Sequence, residues 1–356
     1  MINFDNLQKM IDDGFISVQK HPVEDLFIYN YTQKCQFAHE WNNETMQCRG
    51  LILDGDKNVI ARPFQKFFNY EEHIGEDSLL PSLPVEDFEV FDKLDGSLGI
   101  LYWIGDEPYI ATRGSFTSDQ AGVGTELFKN QLCVTDKNLF DKSLTYLFEI
   151  IYPANRIVVD YGQTYSLFLL AIIDTQTGEE LSIESFRGYM PVVKKFDGVE
   201  DFTKVRDIQR DNAEGFVIRF KSGVRTKIKY AEYVRLHRLV TGVNAKTIWE
   251  LLKNGDNFKD LLDRVPDEFF DWVETTKRNI LDEFNLAESV ALRDFEIVRK
   301  LPTRKDQAIK IMEIDSQRQK KLSGIVFNML DGQDYAELIW RMIRPRADKP
   351  WKEDQE

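Results

Sequence analysis

The sequence predicts an α+β chain: residues 1–240 form an N-terminal domain of antiparallel sheets with helices, and residues 241–356 form an all-α C-terminal domain. Two textures point to this division. Short β-branched and aromatic runs separated by turn residues fill the first 230 positions, the pattern of a sheet-rich domain. Helical periodicity takes over after Tyr230. The length agrees, because 356 residues exceed the size at which one hydrophobic core usually stops growing.

In chain order, Leu51-Ile52-Leu53, Asp54-Gly55 and Val59-Ile60-Ala61 read as a hairpin, since Asp-Gly supplies the backbone a tight turn requires. Further strands are expected at Phe88–Lys93, Leu98–Trp103, Tyr109–Arg113, Leu147–Ile151, Leu167–Ile173, Gly215–Phe220 and Thr226–Tyr230. Beyond them, Phe269, Val273, Ile280 and Phe284 recur at spacings of four, seven and four, which places them on one helix face. Thr303 followed by Asp306 resembles a capping arrangement ahead of Ala308, Ile309, Ile311 and Met312. Asp331-Gly332 then breaks that helix before a last one ending near Pro345. No low-complexity linker or fixed-period repeat interrupts the chain.

Composition excludes several functions. Apolar residues make up 42% and charged residues 30%, and no run approaches the roughly 20 apolar residues of a membrane span. The first residues lack a basic segment followed by an apolar core, so an intracellular, cytoplasmic location is expected. Cys35, Cys48 and Cys133 are too scattered for a paired metal site and are expected to be reduced thiols, and His21, His39, His73 and His237 show no zinc spacing. Net charge is −14, with 26 basic and 37 acidic residues in 1–240 against 20 and 23 in 241–356. A nonspecific nucleic-acid coat is therefore excluded, and any nucleic-acid partner needs a local cationic groove. With no coiled-coil pattern, a monomer is the default.

The chemistry centres on Phe91-Asp92-Lys93-Leu94-Asp95-Gly96-Ser97, a lysine at a strand end followed by a tight turn. Alone, that reads as a plain hairpin. Its companions change the reading: Arg113 in Thr-Arg-Gly-Ser, Glu149 in Leu-Phe-Glu-Ile-Ile-Tyr-Pro, Glu214 before Gly215, and Lys227 with Lys229 in Thr-Lys-Ile-Lys. A lysine that attacks phosphorus must be neutral, yet at an ordinary pKa near 10.4 only about one in a thousand is neutral at pH 7. Neighbouring cations promote the neutral form and stabilise departing negative charge. Lys227 and Lys229 alternate on a strand and so share a face. Glu149 and Glu214, set among apolar runs, suit Mg²⁺ or Mn²⁺, or sugar hydroxyls. Gly96 and Gly215 permit close backbone approach.

This ordered set resembles the covalent nucleotidyltransferases, a superfamily of ligases and capping enzymes. Gln47-Cys48-Arg49-Gly50, Arg62-Pro63-Phe64-Gln65-Lys66-Phe67-Phe68-Asn69 and Ile151-Tyr152-Pro153-Ala154-Asn155-Arg156 narrow the resemblance to the bacteriophage RNA ligase 1 family, over roughly residues 25–240. The resemblance implies an N-terminal adenylyltransferase domain in which Lys93 carries AMP taken from ATP. Arg49 and Lys66 would hold the phosphate tail, and Tyr29, Phe68, Asp95, Gly96, Arg113, Glu149, Glu214, Gly215, Lys227 and Lys229 fall on nucleotide-binding positions. Glu149 and Glu214 are the implied metal ligands, and Lys93, Lys227 and Lys229 the catalytic set. Arg113 departs from the family pattern, which has lysine there; charge is kept but geometry is not. The implied reaction joins RNA 5′-phosphate and 3′-hydroxyl ends through lysyl-AMP and an adenylylated RNA end. Its implied partners are RNA, in that family tRNA broken in the anticodon loop, and a separate end-healing kinase and phosphatase. For a phage-encoded protein the location would be the host cytoplasm, and the helical domain is associated with tRNA choice.

Another polynucleotide ligase, a capping nucleotidyltransferase or a non-catalytic RNA-binding relative are the competing readings. An ATP-dependent DNA ligase normally follows the Lys-x-Lys strand with a β-barrel, whereas residues 241–356 read as helices, which disfavours DNA ligase and capping enzyme. The third is disfavoured by the complete set of lysines and glutamates.

Overall fold

The structure is a computed structural model that describes residues 2–74, 78, 80–132, 139–208, 210–241, 243–256, 258, 261, 270–318 and 321–345. It divides into two compact units, Met1–Val240 and Thr241–Glu356. Phe269 and Cys133 lie outside the described residues, while Cys35 and Cys48 are free and buried.

Three sheets build the first unit. The first is a four-stranded antiparallel meander of β1 (Ile16–Lys20), β2 (Leu26–Tyr31), β3 (Arg49–Asp54) and β4 (Val59–Ala61). The expected hairpin at 51–61 is its second half. The other sheets have the orders β11-β10-β9-β7-β8 and β12-β6-β13-β14-β5. Their strands are β5 (Phe68–Asn69), β6 (Phe88–Lys93), β7 (Ser97–Ile104), β8 (Glu107–Ala111), β9 (Leu144–Ile151), β10 (Ser166–Asp174), β11 (Glu180–Leu181), β12 (Lys195–Phe196), β13 (Gly215–Phe220) and β14 (Arg225–Lys229). Every pairing is antiparallel except β14 with β5.

Side-chain alternation explains the third sheet. Val90 of β6, Phe216, Ile218 and Phe220 of β13 and Ile228 of β14 are buried in one cluster. Residues alternate across a strand, so Lys93, Gly215, Lys227 and Lys229 fall on the opposite face. One face is thus fixed by apolar burial, and a one-residue slip would turn the lysines into the apolar cluster. The segment Leu94-Asp95-Gly96 is not a hairpin. It carries the chain from β6 in the third sheet to β7 in the second, and those strands do not pair.

Around the sheets lie α1 (Phe4–Asp12), α2 (Gln33–Phe37), α3 (Asn43–Gln47), α4 (Asp119–Leu127) and α5 (Ala231–Thr241). Expected and observed boundaries differ at Thr112-Arg113. The strand ends at Ala111, and Thr112 pairs with Ser115 in a turn that projects Arg113.

The second unit contains α6 (Ala245–Asn254), α7 (Phe270–Val298), α8 (Arg304–Ser316), α9 (Ser323–Leu330) and α10 (Ala336–Met342). Val273, Ile280, Ala287, Ala291 and Val298 form the buried stripe of α7, and Phe284 meets Trp340 with ring centroids 4.6 Å apart. Thr303 caps α8 through the Asp306 amide at 3.1 Å. Of the apolar run that follows, Ile311 is buried while Ile309 and Met312 are exposed. Trp249 is buried, with its indole N–H donating to the Trp340 carbonyl at 3.0 Å. Among the described residues no helix is long and apolar enough to cross a membrane.

Candidate active site

Lys93 ends β6, and its register partner on β13 is Gly215, whose partner on β14 is Lys229. The two lysines therefore flank a glycine across three adjacent strands. Gly215 has φ +151°, and a Cβ there would sit 2.0 Å from the Ile228 carbonyl oxygen and 2.8 Å from the Lys229 Cα. No larger residue fits this approach. Glu214, immediately before β13, turns its buried carboxylate to the same place. Its Oε1 lies 2.8 Å from Lys93 Nζ and 3.1 Å from Lys229 Nζ. The two ammonium nitrogens can thus be no farther apart than those distances together, about 5.9 Å.

Glu149 arrives from the second sheet. It stands opposite Leu98 on β7, and the Gly96 amide donates to its Oε1 at 2.9 Å. The sheet-switching turn thereby joins the Lys93 strand to a strand of another sheet. Burial pushes the Glu149 carboxyl up to about 8. Lys93 opposes that shift, and the Glu214 carboxylate adds to it. Two carboxylates so placed fit a divalent cation, which would relieve their mutual repulsion and their desolvation. Among the described residues no third His, Cys, Asp or Glu completes a cluster, so phosphate and water oxygens would supply the remaining ligands.

Asp95 has a different setting from Glu149. Its Oδ2 accepts from the Val158 and Val159 amides at 2.9 and 2.8 Å, and its Oδ1 from the Tyr233 hydroxyl at 2.7 Å. The Asp95 amide in turn donates to the Tyr161 hydroxyl at 2.8 Å. Asp95 thus ties the turn to the 158–161 segment and to α5. Burial raises the Tyr161 phenol well above its ordinary value. Tyr161 and Tyr233 were not legible as site residues. The available signal was position, Tyr233 standing four residues beyond Lys229 in the first turn of α5.

A second group gathers beside β14. The β5 pair Phe68-Asn69 lies parallel to Thr226-Lys227, and the Thr226 hydroxyl donates to the Phe68 carbonyl at 3.0 Å. Lys66 is 4% exposed, with Nζ 5.3, 5.3 and 5.0 Å from the ring centroids of Tyr31, Trp41 and Phe68. Facing rings favour a cation electrostatically, so this cage holds a lysine charge that burial alone would oppose. Arg113 also stands over Tyr31 at 5.4 Å and donates to its hydroxyl at 3.4 Å. Arg49 stands over Phe67 at 5.4 Å. Gly50, at φ +103°, lets the Arg113 backbone approach, since a Cβ there would lie 3.2 Å from the Arg113 Cα and O.

The structure therefore gathers Lys93, Asp95, Gly96, Glu149, Glu214, Gly215 and Lys229 around the turn, with Lys227 on the same strand face as Lys229. Lys66 and Phe68 adjoin through β5, and Tyr31 links Lys66 to Arg113. Tyr29 is not brought into either group. It packs against the cluster of Leu7, Met10 and Ile16, and burial raises its phenol. Tyr31, two residues on, is the tyrosine that meets Lys66 and Arg113.

The RNA ligase family profile matches residues 47–234, more than half of the sequence. The chain belongs to the RNA ligase family. It is 25% identical over 317 residues to the "RNA ligase" of Rhodothermus phage RM378, covering 68% of this chain and 70% of that one. Identity is 27% over 277 residues to the "Putative bifunctional polynucleotide kinase/RNA ligase" of Autographa californica nuclear polyhedrosis virus, covering 70% of this chain and 39% of the viral protein. It is 30% over 208 residues to the "Putative RNA ligase" of Thermovibrio ammonificans, covering 55% and 54%. The chain thus spans about two fifths of one of these relatives and about half of another. The matched span contains both groups of residues except Tyr31 and Trp41.

Proposed function

We propose that this chain is an ATP-dependent RNA ligase that stores AMP on Lys93, transfers it to an RNA 5′-phosphate, and joins that end to a 3′-hydroxyl. The observation that supports this most strongly is Lys93 and Lys229 sharing one oxygen of buried Glu214 above Gly215. In this reading a nucleophile, a second cation and a carboxylate meet at one point, over a glycine that lets β13 and β14 approach closely.

Within this reading each residue has a task. Lys93 attacks the ATP α-phosphorus, forming the N–P bond as pyrophosphate leaves. Glu214 Oε1, 2.8 Å from Lys93 Nζ, is placed to accept the Lys93 proton. Lys229 and Lys227, on one strand face, hold the nonbridging oxygens whose charge grows in the transition state. Lys66, Arg49 and Arg113 hold the pyrophosphate end, a task suited to charges kept at fixed positions by rings. Glu149 and Glu214 would hold Mg²⁺ or Mn²⁺, which when bound neutralises phosphate charge. In the second step the RNA phosphate oxygen attacks the AMP phosphorus and the Lys93 nitrogen leaves. In the third the 3′-oxygen attacks the activated RNA phosphate and AMP leaves. The same cations serve all three steps.

The substrate reading extends to tRNA cleaved in its anticodon loop, in the cytoplasm, with the helical unit contributing to substrate choice. The kinase/ligase name of the viral relative supports coupling to an end-healing kinase. The test is to offer ATP or GTP, a divalent metal and a 5′-labelled single-stranded RNA or DNA. Adenylylated and then circularised RNA with ATP is expected. Nucleotide transfer from GTP alone, or joining confined to nicked duplex DNA, would overturn the reading.

A further inference from the structure

A groove of about 1370 Å³ runs beside the candidate site, in the first unit. That exceeds the roughly 300–1,000 Å³ of small-molecule pockets. Its walls include the β3–β4 turn, the 62–68 segment, the β10–β11 turn and the β13–β14 turn. Its lining carries six basic side chains, Lys57, Arg62, Lys66, Arg219, Lys221 and Arg225, against the acidic Glu179 and Glu180. A cationic surplus in one concavity of a chain with net charge −14 marks a place built for an anion.

Glu180 offsets part of that surplus by pairing with Arg219 and Arg225, which leaves exposed Lys57 and Lys221 as cations at the rim. Half-buried Trp41, Phe64 and Phe67 line the same groove, each with a cation over one face (Lys66, Arg225 and Arg49 respectively), so that a base would meet the other face or an edge. Cations for a backbone combined with flat rings for bases are the requirements of single-stranded nucleic acid. The groove also leads to the candidate site. It shares Lys66 and Phe68 with it, and Arg225 begins the β14 face that continues through Lys227 to Lys229. Alternate residues of a strand stand about 6.6 Å apart, so Arg225 and Lys229 are separated by about 13 Å.

We propose that this groove is the track along which single-stranded RNA reaches Lys93, with Lys57 and Lys221 contacting phosphates at its rim. The assignment rests on the RNA ligase reading. Neither lysine belongs to the nucleotide-holding set, so RNA-dependent steps can be separated from reaction with ATP.

The test uses the full chain carrying Lys57→Asn and Lys221→Glu together. Lys57 has φ +68°, a conformation asparagine tolerates, and Lys221 is exposed, so folding is expected to be retained. Labelling of the protein by α-labelled ATP should stay within about twofold of wild type. AMP transfer from isolated protein-AMP to a subsaturating 5′-phosphorylated single-stranded RNA should fall roughly tenfold. The slope of log affinity against log salt, measured by RNA fluorescence anisotropy, should become shallower by about 1.4 for two lost phosphate contacts. Unchanged transfer with an unchanged slope would overturn the track. So would a parallel loss of ATP labelling, which would assign the groove to the nucleotide. If wild type itself takes no label, the ligase reading fails, and anisotropy still decides whether the groove binds RNA.

Discussion

Replacing Glu149 by glutamine tests the electrostatic argument where it is most exposed to contradiction. Glu149 has a carboxyl raised from an ordinary 4.5 to about 8, chiefly by burial. A group whose folded pKa is raised binds its proton more tightly when folded. The associated stability is fully present below pH about 4.5 and is lost as pH rises through about 8. Each unit of pKa is worth about 1.4 kcal/mol, so the window from 4.5 to about 8 sets a ceiling of about 5 kcal/mol. Glu149→Gln keeps an oxygen that can accept from the Gly96 amide at 2.9 Å but cannot ionise. Urea denaturation of both proteins at several pH values from 5 to 9, without divalent metal, isolates Glu149 together with the groups coupled to it, because titrating groups elsewhere cancel in the difference. Wild type should lose stability relative to the variant as pH rises, so that the variant is the more stable at pH 9. Added Mg²⁺ should restore wild type selectively, since a cation held by the carboxylate replaces the proton. Parallel curves for the two proteins from pH 5 to 9 would refute the placement of Glu149 in a desolvated, carboxylate-bearing site.

Other substitutions probe the remaining contacts. Gly215→Ala places a Cβ 2.0 Å from the Ile228 carbonyl, so a loss of about 1–3 kcal/mol and at least a hundredfold slower protein labelling by ATP are expected in rapid-quench assays. Tyr233→Phe removes the 2.7 Å hydroxyl donor to the buried Asp95 carboxylate, which should lower urea stability by roughly 1.5–3 kcal/mol. Lys66→Met preserves packing among the three rings but removes the charge. KM for ATP in the labelling reaction should rise about tenfold, close to 1.4 kcal/mol, while binding of free AMP, measured by calorimetry, stays near wild type.

The sequence was most informative where periodicity and chemistry coincide. Phe88–Lys93 and Gly215–Phe220 were read with their observed bounds because apolar residues alternate with the lysine-bearing face. Alternation likewise placed Lys227 and Lys229 together. The sheet switch after Lys93 was not legible, because Lys-Leu-Asp-Gly supports a hairpin and a crossover equally well, and only the pairing of distant strands decides between them. β5, β11 and β12, of two residues each, carry no period at all. Tyr31, Tyr161 and Tyr233 escaped notice for a related reason. A tyrosine in a mixed run reads as core, and its hydroxyl gains meaning only from a partner 66, 82 or 138 positions away.

The central claim is that Lys93 is the residue that carries the nucleotide. Wild-type protein, first cleared of bound AMP with pyrophosphate, and its Lys93→Ala variant are incubated with α-labelled ATP and Mg²⁺ or Mn²⁺, then separated by denaturing electrophoresis. Label that survives denaturation on wild type and is absent from the variant is the predicted result. Equal labelling of both proteins, or none on wild type, would contradict the account.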